Sequence, residues 1–321
     1  MKRFHIIISI LLLLSLVQVE DNKRVDHPVE PLHLLKPELH HGKISRAIAD
    51  ILLKNHYKKI TLNDSISGVF FDQYIQKLDP GHFYFLQSDI DSFMRYRIPF
   101  CTLLVMGKLD PMYEIFNRYL QRMDKRFSYI FERIKSEFDF TINESYNIDR
   151  EESVWANSQE ELDEIWRKRL KYEALNIKLA GKKWSEISEI LKKRYHNFQT
   201  RVHQTQSEDA FQVVMNSFTE IFDPHTNYFS PKRSDDFKIE MSRALEGIGA
   251  ELTTDYYYTI VHRIVAGGPA DKSKLLHAND KIIGVAQGDE EIVDIIGWRL
   301  DDVVQLIRGP KSTTVRLLTM S

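Results

Sequence analysis

The stretch Leu245-Glu246-Gly247-Ile248-Gly249-Ala250 holds the residue types best suited to specific chemistry. Two glycines separated by one apolar residue let successive backbone N–H groups turn into one concavity, and such a nest suits a carboxylate. The strand expected after it, Ala250 to Thr253, could accept an extended peptide as an added strand. Val304 and Ile307, on a helix expected over Leu300 to Arg308, would then shape a pocket for the last side chain of that peptide. Taken alone, the glycine pair also fits a plain tight turn, so its meaning depends on its surroundings.

Other reactive side chains are set less purposefully. Lys311 and Ser312 are neighbours in sequence, and neighbours on a strand or turn point apart, whereas a base must reach within about 3 Å of the proton it takes. Gly309-Pro310-Lys311-Ser312-Thr313 is no phosphate loop, because Pro310 removes a needed N–H and the upstream glycine is missing. No catalytic residue is assigned. His33, His40 and His41 could suggest a metal, but Pro37 interrupts any helix joining them and no cysteine is near, so they read as solvated surface histidines and no metal is expected. Nothing points to a cofactor. His225 reads as a turn residue, and Asp223 as a carboxylate tying local N–H groups. Cys101 is the sole cysteine, which excludes an internal disulfide and suits a small buried apolar role.

The elements that must position these residues follow from periodicity. Ala47, Ile48, Ile51 and Leu52 recur at helical spacing, as do Val69, Phe70, Tyr74 and Leu78. Asp79-Pro80-Gly81 is turn chemistry, and Ser88 with Asp91 resembles a capping box for a short helix that Pro99 closes. Asp110-Pro111 starts a helix whose stripe runs from Ile115 to Phe138. Ser158 with Glu161 caps the next, Gly181 ends it, and Trp184 to Phe198 continues the pattern before a last helix from Ser207 to Phe222. After a turn-rich joint from Asp223 to Pro231, the texture changes to short strands at Tyr256–Ile264, Lys281–Val285, Ile292–Ile296 and Thr313–Leu318. A multidomain chain is expected: an all-α N-terminal domain over 40–230, then a small α+β domain over 238–321.

Composition narrows the partners. The 321 residues carry 44 basic and 46 acidic side chains, a net charge of −2, and nothing like the one-sided basic surface of a nucleic-acid binder. Lys2 and Arg3 precede an apolar run from Ile6 to Val17, shorter than the roughly 20 residues of a membrane span but the length of a signal-peptide core. Residues 1–20 therefore read as an export signal, either cleaved or kept as an anchor.

Element order after Leu245 is that of a PDZ domain: the double-glycine loop, a strand pair, Gly267-Gly268-Pro269-Ala270 opening a short helix, the Asn279-Asp280 turn, and the Leu300 helix. Together with Ser207-Glu208-Asp209, Asp223-Pro224-His225-Thr226-Asn227-Tyr228 and Gly297-Trp298-Arg299-Leu300-Asp301-Asp302-Val303-Val304, the chain resembles the bacterial tail-specific (carboxy-terminal processing) serine proteases. Trp166, Lys171-Tyr172 and Leu179 to Lys182 resemble the helical domain of that family. The resemblance implies a periplasmic endopeptidase that holds the apolar C-terminal tails of unfolded or tagged proteins in its PDZ groove, works with an envelope adaptor, and cuts with a serine activated by a lysine. It also implies that Leu245, Gly247, Ile248 and Gly249 contact the tail. The serine and lysine of the family lie beyond its PDZ, so these 321 residues are expected to lack the catalytic domain and to bind without cutting. The PDZ itself is either whole or short of a final strand, and a self-standing periplasmic PDZ adaptor is the alternative reading.

Overall fold

The structure, a computed structural model, describes residues 31–242, 247–255, 257–308 and 313–320. The expected export signal lies outside these residues, as do Leu245, Lys311 and Ser312. Eight helices build the first part: α1 (His41–Asn55), α2 (Asp64–Leu78), α3 (Gln87–Arg97), α4 (Phe100–Val105), α5 (Asp110–Arg133), α6 (Gln159–Leu179), α7 (Trp184–His203) and α8 (Ser207–Thr219) among the described residues. Helix α9 (Pro231–Ser242) follows, where the sequence suggested only the end of a joint.

Local chemistry sets most of these boundaries. The Asn63 side chain accepts the Ile66 N–H to start α2, and Ser158 Oγ accepts the Glu161 N–H at 3.2 Å while the Glu161 carboxylate takes the Asn157 N–H at 2.7 Å. Proline occupies the first turn of α5, and Gly181 adopts φ +87° just past α6. The expected Ser88–Asp91 box is replaced by a start two residues earlier: α3 opens at Gln87, and Asp89 reaches back to the Leu86 N–H at 3.0 Å. Asp79, at the turn after α2, is buried and collects the N–H groups of Phe83, Tyr84 and Phe85 at 2.7, 2.8 and 2.9 Å.

A long aromatic stripe supplies the core. Trp166 is 1% exposed and its Nε1–H donates to the Phe83 carbonyl at 2.7 Å, while Phe70 packs against Phe100 and Phe218, and Phe100 also meets Tyr74. Helix α1 is rotated from the face its apolar residues suggest. His41, Ser45, Ala49 and Leu52 point inward, and Ile51 is exposed. Gly42 lies against Gly107, whose carbonyl oxygen would be 2.7 Å from any added Cβ, so this close approach demands glycine at position 42.

The second part is a five-stranded sheet with two helices: β1 (Ala250–Asp255), β2 (Tyr258–Ile264), α10 (Pro269–Ser273), β3 (Lys281–Gln287), β4 (Val293–Asp294), α11 (Leu300–Ile307) and β5 (Val315–Met320). All pairings are antiparallel, in the order β1-β2-β3-β4, with β5 on β3. Val261, Ile282, Val285, Ile295, Val303 and Ile307 form its small aliphatic core. Asn279, at φ +74°, turns the chain into β3, and Asp280 accepts the His277 N–H at 2.8 Å.

Candidate peptide-binding groove

The glycine loop is fastened through its carbonyls. Ile248 O accepts the Ala270 N–H at 2.8 Å and Gly249 O accepts the Val265 N–H at 2.9 Å. Each peptide unit is planar and trans, so its C=O and N–H point opposite ways. With both carbonyls drawn toward α10 and the end of β2, the N–H groups of Gly249 and Ala250 turn away from them. No described residue accepts a hydrogen bond from the amides of Gly247, Ile248 or Gly249. Gly249 stands at φ +74°, and a Cβ there would sit 3.0 Å from Gly268 Cα, so the loop needs glycine for both conformation and contact.

β1 runs directly from this loop and pairs only with β2, which leaves its other edge free of any described strand. Helix α11 packs beside β1. Of the residues expected to hold a tail, Ile248 and Ala250 pack partly buried against the aliphatic core, and Ile307 is 4% exposed within it. Val304 is half-buried on α11, while its neighbour Val303 takes the deep position. The loop, the bare strand edge and the helix thus lie together. The arrangement can accept an extended chain by backbone pairing and offer N–H groups at its end.

One histidine departs from expectation. His41 is fully buried rather than solvated: its ring stacks on Phe211 at 4.3 Å, and Nε2 lies 2.8 Å from Glu208 Oε2. Nδ1 accepts the Glu38 N–H at 3.1 Å, so Nε2 carries the proton and donates to Glu208. Glu38, His40 and His41 come close enough to surround an ion, but in this tautomer the one ring lone pair of His41, on Nδ1, is already engaged by the Glu38 N–H. In the joint, Asp223 accepts the His225 N–H at 2.8 Å and the Tyr57 hydroxyl, and these two donors hold its carboxyl below the usual range. Cys101 is buried, and burial pushes its thiol up to about 11, in keeping with an inert packing role.

The sequence reading missed how the two parts meet. Arg299, just before α11, spans to Asp209 at 2.7 and 3.2 Å and to the Gln204 carbonyl at 3.1 Å. Gln204 Nε2 donates to Gly297 O at 2.6 Å, and Lys232 pairs with Asp302 at 2.8 Å. The partners are about 70 to 95 residues apart, so no spacing rule could have paired them. Among the described residues, no helix is long and apolar enough to cross a membrane.

A helical platform bolted to a small sheet whose β1 edge lies bare beside a helix defines a PDZ-bearing protein. A family model for the tail specific protease N-terminal domain matches residues 48–232, and the PDZ domain model matches residues 236–320. The chain therefore belongs to the tail-specific protease family. It is 39% identical over 267 residues to the tail-specific protease of Haemophilus influenzae, covering 83% of this chain and 38% of that protein. It is 26% identical over 129 residues to the carboxy-terminal processing protease CtpA of Bacillus subtilis, covering 40% of this chain and 26% of that one. The chain thus spans well under half the length of these relatives. A crystallised PDZ domain of the carboxy-terminal protease from Vibrio cholerae, in complex with a peptide, is 59% identical across 24% of this chain and 78% of its own, with a TM-score of 0.23.

Proposed function

We propose that this chain captures the free, apolar C-terminal tails of other proteins, laying each tail along the bare edge of β1 with its carboxylate at the glycine loop. One observation carries the reading: the Ile248 and Gly249 carbonyls are already taken, so planarity directs the next two N–H groups toward a missing acceptor. Ala250, Val304 and Ile307 then surround the last side chain, and Leu245, outside the described residues, is proposed as a further tail contact. Periplasmic proteins that are unfolded or carry a tail tag are the proposed partners, reached after export through residues 1–20, with an envelope adaptor as a further partner. Cleavage of the captured tail belongs, in this reading, to a serine–lysine protease unit found in the family beyond its PDZ. Residues 1–321 supply recognition of the tail in this reading.

The test is a titration of the chain with one apolar-ended peptide in two forms, free acid and C-terminal amide. A charged hydrogen-bonded group contributes roughly 1.5 to 3 kcal/mol, so the amide should bind about 10- to 100-fold more weakly. Equal affinities would remove the carboxylate from the site and the groove assignment with it.

A further inference from the structure

At the end of β1 farthest from the glycine loop, a cleft of about 350 Å³ opens between the two parts of the molecule. Thr254, Trp298 and Leu300 line it from the PDZ side, and Asn197, Thr200 and Arg201 of α7 line it from the other. We propose that this cleft is a second subsite of the groove, taking an apolar side chain about four to six residues upstream of the tail's terminus. The inference rests on the tail reading above and extends it.

Continuity identifies the occupant. A peptide pairing antiparallel to β1 with its terminus at Gly249 runs toward Thr254, five residues on, and at about 3.3 Å per residue it covers that distance with roughly five of its own residues. Residues 298–301 at the start of α11 share the cleft with Thr254, so the helix that flanks the terminus at Ile307 also flanks the upstream segment. The cleft thus brings Trp298 and α7 to the end of β1 that such a peptide reaches.

The walls also set the chemistry. Trp298 is 43% exposed, and Leu300 is half-buried beside it, an aromatic and aliphatic pair of the kind that anchors peptides. The lining carries two arginines, Arg201 and Arg299, and two aspartates, Asp209 and Asp301, both of which pair with Arg299, so the cleft has no net charge to favour a charged residue. Asn197 Oδ1 is shielded from solvent and has no hydrogen-bond partner among the described residues, an acceptor available to a tail N–H after a small rotation. The ion pairs Arg299–Asp209 on one side and Lys193–Asp255, at 2.5 Å, on the other fix the two walls relative to each other.

Four ten-residue peptides with identical last three residues test this on the full chain by calorimetry. Three carry a single Phe four, five or six residues before the terminus, and the fourth carries Ser at all of these positions. The best Phe peptide should bind about tenfold tighter than the Ser peptide, the effect of one buried apolar anchor. Trp298→Ala should bring that ratio to about one, and Trp298→Phe should keep most of it. A ratio near one in the unaltered chain, with binding that still depends on a free carboxylate, overturns the subsite alone. A ratio that survives in Trp298→Ala also overturns it. If none of the peptides binds, the groove reading falls and the subsite falls with it.

Discussion

The helical domain and the PDZ domain are stabilised in different ways, and the difference locates function. Every one of the largest fully buried side chains, from Phe70 to Phe222, belongs to the helical part. Its buried charges are answered as well: Asp89 is held by Arg122 at 2.7 and 3.0 Å, and Arg126 pairs with Asp163 at 2.6 Å. The PDZ relies on a few aliphatic residues, glycines at positive φ and a β1 edge with no partner among the described residues. A rigid aromatic core suits a support. A small core with unspent backbone groups suits a surface that must accept another chain, because binding sites are drawn from the less stable parts of proteins.

The sharpest way to break this contrast is Trp166→Ala. It removes a fully buried ring, its hydrogen bond to Phe83 O, and the face on which Arg126 and Arg169 rest at 5.8 and 4.6 Å. We expect a loss of about 3–5 kcal/mol in chemical denaturation followed by far-UV circular dichroism. A loss below about 1 kcal/mol would mean that the helical part is not the rigid member. Next comes Gly249→Ala in the PDZ. Strain at φ +74° and the contact with Gly268 and Pro269 should cost about 1–3 kcal/mol and weaken tail binding, while the helical transition stays in place. Concerted loss of both transitions would make the two parts one unit.

The smallest effect concerns pH. Hydrogen bonds from Arg167 and then Lys171 hold the Glu144 carboxyl at about 2, below its ordinary 4.5. A depressed acid favours the folded state above the unfolded value and loses that contribution as pH falls toward the folded one. The stability gap between the natural chain and Glu144→Gln should therefore be constant from neutral pH to about 5 and close between about 4.5 and 2. A gap that persists at pH 2 would assign the effect to packing instead of charge.

Much of this division is legible in the sequence, for identifiable reasons. Ser158, Asp110-Pro111 and Gly181 act through bonds to their own neighbours, so local spacing is enough to place them. The same holds for the strand texture after Ala250. Helix α1 was misphased because its buried face is chosen by a close backbone approach at Gly42, which admits glycine and no apolar side chain. His41 gave no sign of burial because its partners, Glu208 and Phe211, lie about 170 residues away. Helix α9 has few apolar residues and little periodicity to betray it. At the groove, Gly247 and Gly249 could be picked out, but the fates of their neighbouring carbonyls depend on Val265 and Ala270 and emerge only from the fold.

Strand β1 is six residues long and begins beside the glycine loop, which gives it the properties of a ruler with a fixed zero. Side chains on an extended chain alternate between two faces, so adding one residue at the C-terminal end of a good ligand would exchange inward and outward positions along its whole bound length, and adding two there would restore them. The protein would then respond to the parity of each residue's distance from the free end as much as to composition, and the same residues buried inside a longer polypeptide would go unread.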